Sequence, residues 1–262
     1  MKKLGSLSVF VLIFFIFNST GFASDDIELP SMQLLITGTA GYAKNNEIFD
    51  ATKNLMKSDE NLYLAAHPSG TSKVNEADST DIELAAGIDI AFRYFFSNFG
   101  IGLEVGQHTT EAVKAELSFT DTYFNASTSV KLQLTVVTTV ATLFYRINTG
   151  SQNSFLLLGG GVGYYMGEMT VDYHGDSLLE GKNVYMQSKV GYHLLFEYDY
   201  LFDSGFTIFG GIKGRYVQLD EFKDGDKILY SDGDGLISHN GNKKLKAGLT
   251  GVAAYIGLGF SF

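Results

Sequence analysis

An alternation of period two, sustained through long segments, restricts this chain more than any other feature. In residues 82–96 one face reads Leu84, Ala86, Ile88, Ile90, Phe92, Tyr94 and Phe96. The other reads Glu83, Ala85, Gly87, Asp89, Ala91, Arg93 and Phe95. Successive side chains of a strand point to opposite faces, so one face is apolar or aromatic and the other small or charged. The pattern returns in 99–106, 189–200, 207–216 and 251–262, and segments 32–43, 130–147 and 156–171 bring the set to eight. In 130–147 the pairs Val136-Val137 and Thr138-Thr139 blur the phase, and a β-bulge there is one reading. These segments run roughly 11–18 residues, against the 5–6 usual in soluble sheets. A tilted membrane strand needs about 9–11 residues in the hydrocarbon. Only a closed sheet satisfies every backbone group there, so the expectation is an all-β, up-and-down antiparallel transmembrane barrel of eight strands.

The connections agree. Ser97-Asn98, 148–153 and 203–205 are short, whereas 44–80, 110–129, 172–184 and 220–244 are long and polar. Short and long alternate strictly, which puts both chain ends on the side of the short turns. Aromatic residues gather beside those turns: Tyr94, Phe96, Phe99, Phe144, Tyr145, Phe155, Tyr198, Tyr200, Phe202, Phe206, Phe260 and Phe262. They read as one interfacial girdle, with Tyr42, Tyr164, Tyr173, Tyr185 and Tyr216 as the other.

Composition narrows the function. Lys2 and Lys3 precede an unbroken apolar run at 9–17, and Gly21-Phe22-Ala23 offers a cleavage site. This predicts a cleaved signal peptide over 1–23 and a barrel domain over 24–262. Setting aside the two signal lysines leaves 17 basic residues against 29 acids, a mature charge of −12. Such a chain is a poor partner for nucleic acid. With no Cys, thiol catalysis, Cys-ligated metals and a lipoprotein anchor are excluded. Thirty Gly, 36 Tyr plus Phe and two Pro suit long paired strands.

The C-terminal YIGLGFSF, with Ile256, Leu258, Phe260 and Phe262 on one face, resembles the last strand of Gram-negative outer-membrane proteins. The stretches LLLGGGVGYY (156–165), KVGYHLLFEYDYLF (189–202) and GGIKGRYVQL (210–219) are similar to the second half of small eight-stranded barrels. OmpW is the preferred likeness, beside OmpX, the opacity proteins and the OmpA membrane domain. The resemblance implies a monomer in the bacterial outer membrane, surrounded by lipid and lipopolysaccharide. It also implies that the barrel-assembly machinery reads the terminal aromatic. It leaves three functions open: a narrow channel for small hydrophobic solutes, a structural or adhesive protein acting through its loops, and a lipid A-modifying enzyme. Of these the non-enzymatic channel is preferred, with no cofactor.

Phase places Glu83, Asp89, Arg93, Glu104, Lys189, Glu197, Asp199, Lys213 and Arg215 inward, with Lys131 and Gln133 as further candidates. Glu197 and Asp199 lie on the strand beside Lys213 and Arg215, so cross-strand pairing is expected. The set reads as an ionic plug in preference to a solute-selecting lining, because eight strands leave room for little beyond side chains. Inward Gly159, Gly161, Gly163, Gly191, Gly211, Gly257 and Gly259 make room for Tyr255, Phe209 and Tyr165, or else leave a cavity. Asp224, Asp226, Asp232 and Asp234 alternate as Ca²⁺ ligands do, but the twelfth position from Asp232 is Lys243, so a solvated loop is the better reading and no metal site is expected. His108, His174, His193 and His239 are candidate bases, and Ser238-His239-Asn240 is the one tight cluster. Its order departs from the His-x-Ser-Asn arrangement of lipid A deacylases, and it reads as loop chemistry. Segment 44–80, with Ile48, Phe49, Leu55, Met56, Leu62, Tyr63 and Leu64, is expected to fold over the mouth or carry a short helix.

Overall fold

The computed structural model describes residues 31–43, 46–75, 83–123, 125–151, 153–175, 181–230 and 243–262. In chain order the strands are β1 (Met32–Ala43), β2 (Thr71–Asn75), β3 (Glu83–Phe96), β4 (Phe99–Thr110), β5 (Val113–Thr120), β6 (Asn125–Asn148) and β7 (Ser154–Gly175). There follow β8 (Gly181–Leu201), β9 (Phe206–Tyr216), β10 (Gln218–Asp220), β11 (Lys223–Asp224), β12 (Lys227–Ile228), β13 (Lys246–Gly248) and β14 (Gly251–Ser261). Among the described residues one helix, α1 (Asn46–Ala66), lies between β1 and β2.

Eight strands close a ring in the order β1-β3-β4-β6-β7-β8-β9-β14, and β14 pairs back onto β1. Every pair in the ring is antiparallel. The expected bulge in β6 is absent, because its registers to β4 and β7 run without a break through Val136–Thr139. Even residues of β6 therefore face inward throughout, and Lys131 and Gln133 face out.

The outer wall is apolar where lipid would meet it. Ile36, Ile88, Leu103, Leu143, Leu194 and Ile256 are each half or more exposed. A continuous apolar belt of this size is untenable in water. On β7 the belt runs from Leu156 to Met166, eleven residues, and gives way to Glu168, Thr170 and Asp172. That height fits a bilayer core crossed by tilted strands. Near the turns, Tyr94, Phe96, Phe99 and Tyr145 form a chain of ring contacts, as do Tyr200, Phe202, Phe206 and Phe260. Two members expected there, Phe144 and Phe155, point inward and are buried. At the far rim Tyr42, Tyr164 and Tyr216 are outward, but Tyr173 and Tyr185 are buried inside. Their odd positions on β7 and β8 decide this, since both strands keep one phase beyond the membrane.

The long connections are more structured than their polarity suggests. Segment 110–129 holds β5 and the top of β6, so β6, β7 and β8 reach 24, 22 and 21 residues and rise above the bilayer. Segment 44–80 holds a helix of 21 residues. Ile48, Ala51, Thr52, Leu55, Met56 and Asp59 share one buried stripe at helical spacing. Glu47 in its first turn accepts the Lys246 N–H at 2.9 Å, tying α1 to β13. In the last turn of α1, Tyr63 stacks on Phe119 of β5 with centroids 5.3 Å apart.

Candidate functional site

The site built by this fold is the barrel interior and the cap over its mouth. Starting at the turn end, Phe95, Phe144, Phe155, Leu157 and Leu195 form an aromatic floor. The Arg146 guanidinium lies 3.8 Å from the Phe95 ring centre and 4.5 Å from that of Phe155. Above it Arg93 clamps Glu197 with both terminal nitrogens, Nη2 donating to Oε2 at 2.8 Å. Asp199 stands 3.8 Å from the same guanidinium. Beside this layer the Gln33 amide donates to Ser261 Oγ at 3.2 Å, and Ser261 bonds Thr207 at 2.7 Å.

The next level holds Lys213, whose Nζ donates to both oxygens of Glu104 at 2.7 Å. His193 Nε2 meets the Thr142 hydroxyl at 2.9 Å. Highest is Asp89, fully buried, which accepts the Thr39 hydroxyl at 2.8 Å and faces His108 Nε2 at 2.9 Å. Arg215 completes this level, 3.8 Å from Asp89. Four carboxylates (Asp89, Glu104, Glu197, Asp199) thus meet four cations (Arg93, Arg146, Lys213, Arg215) among the described residues. An even balance limits the cost of removing so many charges from water.

A closed apolar-out, ionic-in ring, with three short turns at one end and long excursions at the other, is the membrane-barrel arrangement. The chain is a small eight-stranded transmembrane-type β-barrel. The barrel is similar to the attachment invasion locus protein Ail of Yersinia pestis, solved with the heparin analogue sucrose octasulfate. That match has 12% identity over 89% of this chain and 100% of that one, with a TM-score of 0.41. It also resembles OprG of Pseudomonas aeruginosa, at 11% identity over 91% and 99% of the two chains and a TM-score of 0.44. A major outer membrane protein of Thermus thermophilus aligns at 10% identity over 88% and 100%, with a TM-score of 0.45. No family model and no curated protein sequence matches.

The inward charges expected from phase are placed inside, with two exceptions. Lys189 is exposed and bonds Asp220 at 2.9 Å, because β9 ends at Tyr216 and leaves that part of β8 paired to β7 alone in the ring. The Glu83 side chain lies outside the described part. The pairing scheme also differs from cross-strand expectation. The register sets Lys213 opposite Leu195 and Arg215 opposite His193, so neither cation faces a carboxylate along the wall. Arg93 reaches Glu197 from β3 to β8, and Lys213 reaches Glu104 from β9 to β4. Each pair spans the full ring, four strands apart. Arg146, His108, His193, Gln33 and Thr142 are buried members that the charge list omitted. Fixing the phase of β6 would have found Arg146 and Thr142.

The inward glycines make room. A Cβ at Gly257 would lie 2.2 Å from the Phe209 ring, at Gly211 2.8 Å from the Tyr255 hydroxyl, and at Gly163 and Gly191 2.8 and 2.9 Å from Tyr165. Over the mouth, α1 and the last hairpin close on the inner faces of β5–β8. Leu55, Met56, Leu132, Leu134, Met169, Val171, Leu219, Phe222, Leu229 and Leu245 are all at most 4% exposed there. Of the loop candidates, Asp224 and Asp226 lie exposed on the β11–β12 hairpin. Asp232, Asp234, Ser238, His239 and Asn240 lie outside the described residues, as does 1–23. His174 is exposed beside Asp172 at 3.1 Å. Among the described residues no group of three His, Asp or Glu is arranged to hold a metal.

Proposed function

We propose that this barrel is a closed membrane anchor that acts through the folded cap it presents at the cell surface. One observation carries the reading: the lumen is filled from its aromatic floor through the ionic layers to an apolar cap. Ion pairs that tie opposite walls favour a rigid interior over a lining for a hydrophobic solute. In this reading the barrel performs no group transfer. Its two innermost imidazoles, His108 and His193, are buried against Asp89 and Thr142, out of reach of a lipid substrate on the outer wall. Assembly runs through the last strand, where Ile256, Leu258, Phe260 and Phe262 stand 67%, 51%, 59% and 61% exposed along one lipid-facing row.

Planar-bilayer recording of the refolded barrel tests this. No unitary currents are expected, and reproducible single-channel steps from folded protein overturn the closed-anchor reading. A second arm replaces 44–80 and 220–244 with short turns. Surface-binding activity of cells displaying the barrel should then disappear while the barrel still assembles.

A further inference from the structure

The wall of this barrel rises well above its apolar belt on one side only. There β6, β7 and β8 continue past Val137, Met166 and Val190, and β5 and β2 widen their sheet. The cap covers the inner face of that extension. Its outward residues, from Thr120 and Ser127 down to Gln133 and Thr170, are exposed or half-buried, and no described element packs on them. This outer face stands across the plane of the bilayer. What it meets first is the headgroup of a neighbouring lipid, not the open medium.

One row across the face is cationic. The registers set Lys114 of β5 opposite Lys131 of β6, Lys131 opposite Asp172 of β7, and Asp172 opposite Lys182 of β8. Directly opposed residues share a face with Cβ atoms about 5 Å apart, and like charges so placed repel. The two carboxylates within reach are engaged: Glu116 with Lys114, and Asp172 with His174 at 3.1 Å. Lys131 and Lys182 hold no ion pair among the described residues, whereas Lys189, Lys223, Lys243 and Lys244 each hold one. Three lysines and one aspartate thus form the row, in a chain of net charge −10. Ser129, Gln133 and Thr170 flank it with hydroxyl and amide groups. A positive surplus amid neutral donors and acceptors is complementary to an anionic, polyhydroxylated partner.

Height selects among such partners. Lys131 and Asp172 stand six residues above Val137 and Met166, the paired residues that end the belt on β6 and β7. At about 3.3 Å per residue and a tilt near 40°, the row lies roughly 15 Å beyond the hydrocarbon. Phospholipid headgroups fill only about 5–8 Å of that distance. A saccharide headgroup reaches further. We propose that Lys114, Lys131 and Lys182 form a lateral seat for the phosphorylated saccharide headgroup of a glycolipid in the loop-side leaflet. Lys114 and Lys131 converge on one phosphate, and Lys182 meets a second anionic group of the same headgroup. Ser129, Gln133 and Thr170 bond its hydroxyls. The seat lies on the outer wall and holds whether or not the lumen conducts.

The test uses the mature full-length barrel in phosphatidylcholine vesicles that carry either lipopolysaccharide or phosphatidylglycerol at equal phosphate content. After gentle extraction, native mass spectrometry counts the retained lipid. A third arm offers the soluble oligosaccharide released from the same lipopolysaccharide. Wild type should retain lipopolysaccharide in preference to phosphatidylglycerol, and less of it after phosphatase treatment. Lys114→Gln with Lys131→Gln should lower that retention about fivefold, the scale of two exposed ion pairs. Lys114→Arg with Lys131→Arg should keep it. Lys57→Gln with Lys227→Gln makes the same charge change on exposed parts of α1 and β12, and should leave retention unchanged. All these side chains are solvated, so each variant should fold, as mobility on unheated gels checks. Equal retention of the two lipids overturns the saccharide assignment. Binding of the released oligosaccharide as tight as that of the intact lipid overturns the lateral lipid in favour of a soluble glycan. Retention unchanged by the Lys114 and Lys131 variants, or lowered equally by the Lys57 and Lys227 pair, overturns the seat itself.

Discussion

Removing Arg93 should destabilise the barrel more than any other single change in its ionic layers. Arg93 is 4% exposed, and the carboxylates it faces, Glu197 and Asp199, are both at 0%. Arg93→Met keeps the stem and much of the packing against Phe144, whose ring centre is 4.7 Å from the guanidinium carbon. It leaves two carboxylates without their shared cation. Breaking a buried pair by deleting one partner costs about 3–5 kcal/mol. Loss of the cation–ring contact adds roughly 0.5–2 kcal/mol. The sum expected is about 3.5–7 kcal/mol. Glu197→Gln in the same background removes one stranded charge, so the double variant should recover about 1–3 kcal/mol relative to additivity. The measurement is urea unfolding in phospholipid vesicles, followed by near-ultraviolet dichroism of the tyrosines and by mobility on unheated gels. The reasoning fails if Arg93→Met lies within about 1 kcal/mol of wild type, or if the two changes add without coupling.

Gly106→Ala should block folding, since its Cβ would lie 1.8 Å from Asp89 Oδ1, whereas Gly214→Ala, with nothing within 4 Å, should fold normally; folding yield on unheated gels compares them. Met56→Ala, at 0% exposure in the cap, should cost about 2–5 kcal/mol locally. Amide exchange should rise in α1 while exchange in β3 and β4 stays unchanged. The Thr122 backbone N–H, then the Ser69 hydroxyl and His67, hold the Asp121 carboxyl below its ordinary value of 3.8. A depressed folded value stabilises above 3.8 and is lost as pH falls through it, so the clasp between the end of α1 and β5 should loosen in that acid range. Faster exchange at Gly70 below pH 3.8, abolished as a pH effect in Asp121→Asn, is the expected readout. Phe262→Ala should slow assembly in cells without lowering the unfolding midpoint of barrel that has already formed, because the ring lies 61% exposed on the lipid face.

The wall of this barrel was legible in the sequence because lipid and a narrow lumen impose opposite demands on alternate residues. Leu84 to Phe96 shows both demands in one strand, and the three short turns fix the count. Where a residue faces two similar environments the signal fades. Val136-Val137 and Thr138-Thr139 suit either face, so the phase of β6, and with it Arg146, was hidden. Pairing inside the lumen was hidden for another reason. Adjacency along the wall can be read from order, but Arg93 and Glu197 are 104 residues apart and meet only because a ring of eight brings fourth neighbours face to face. The cap was masked by composition, since α1 and the upper strands carry polar residues on their outer sides and bury only one stripe each.

The inward fold of the last hairpin follows from the unequal height of the wall. Strands β6 to β8 span 21 to 24 residues, whereas β1, β9 and β14 span 11 or 12. Above the bilayer the tall side keeps its alternation, so Val130, Leu132, Leu134, Met169, Val171, Tyr173 and Tyr185 still face the barrel axis. No low strand stands opposite to cover them. The chain after Tyr216 therefore leaves the ring. Val217 exchanges its ladder partner for the Thr250 side chain, which accepts its N–H at 3.1 Å and donates to its carbonyl at 2.9 Å. From that kink, β10 and β13 pair as a separate sheet and carry Leu219, Leu245 and Ala247 onto the exposed stripe. Each large apolar side chain buried this way contributes about 1.5–3 kcal/mol. Opening the mouth would return several of them to water together. Closure is thus built into the same alternation that makes the wall, and a passage through this lumen would require the cap and the ionic layers to separate in concert.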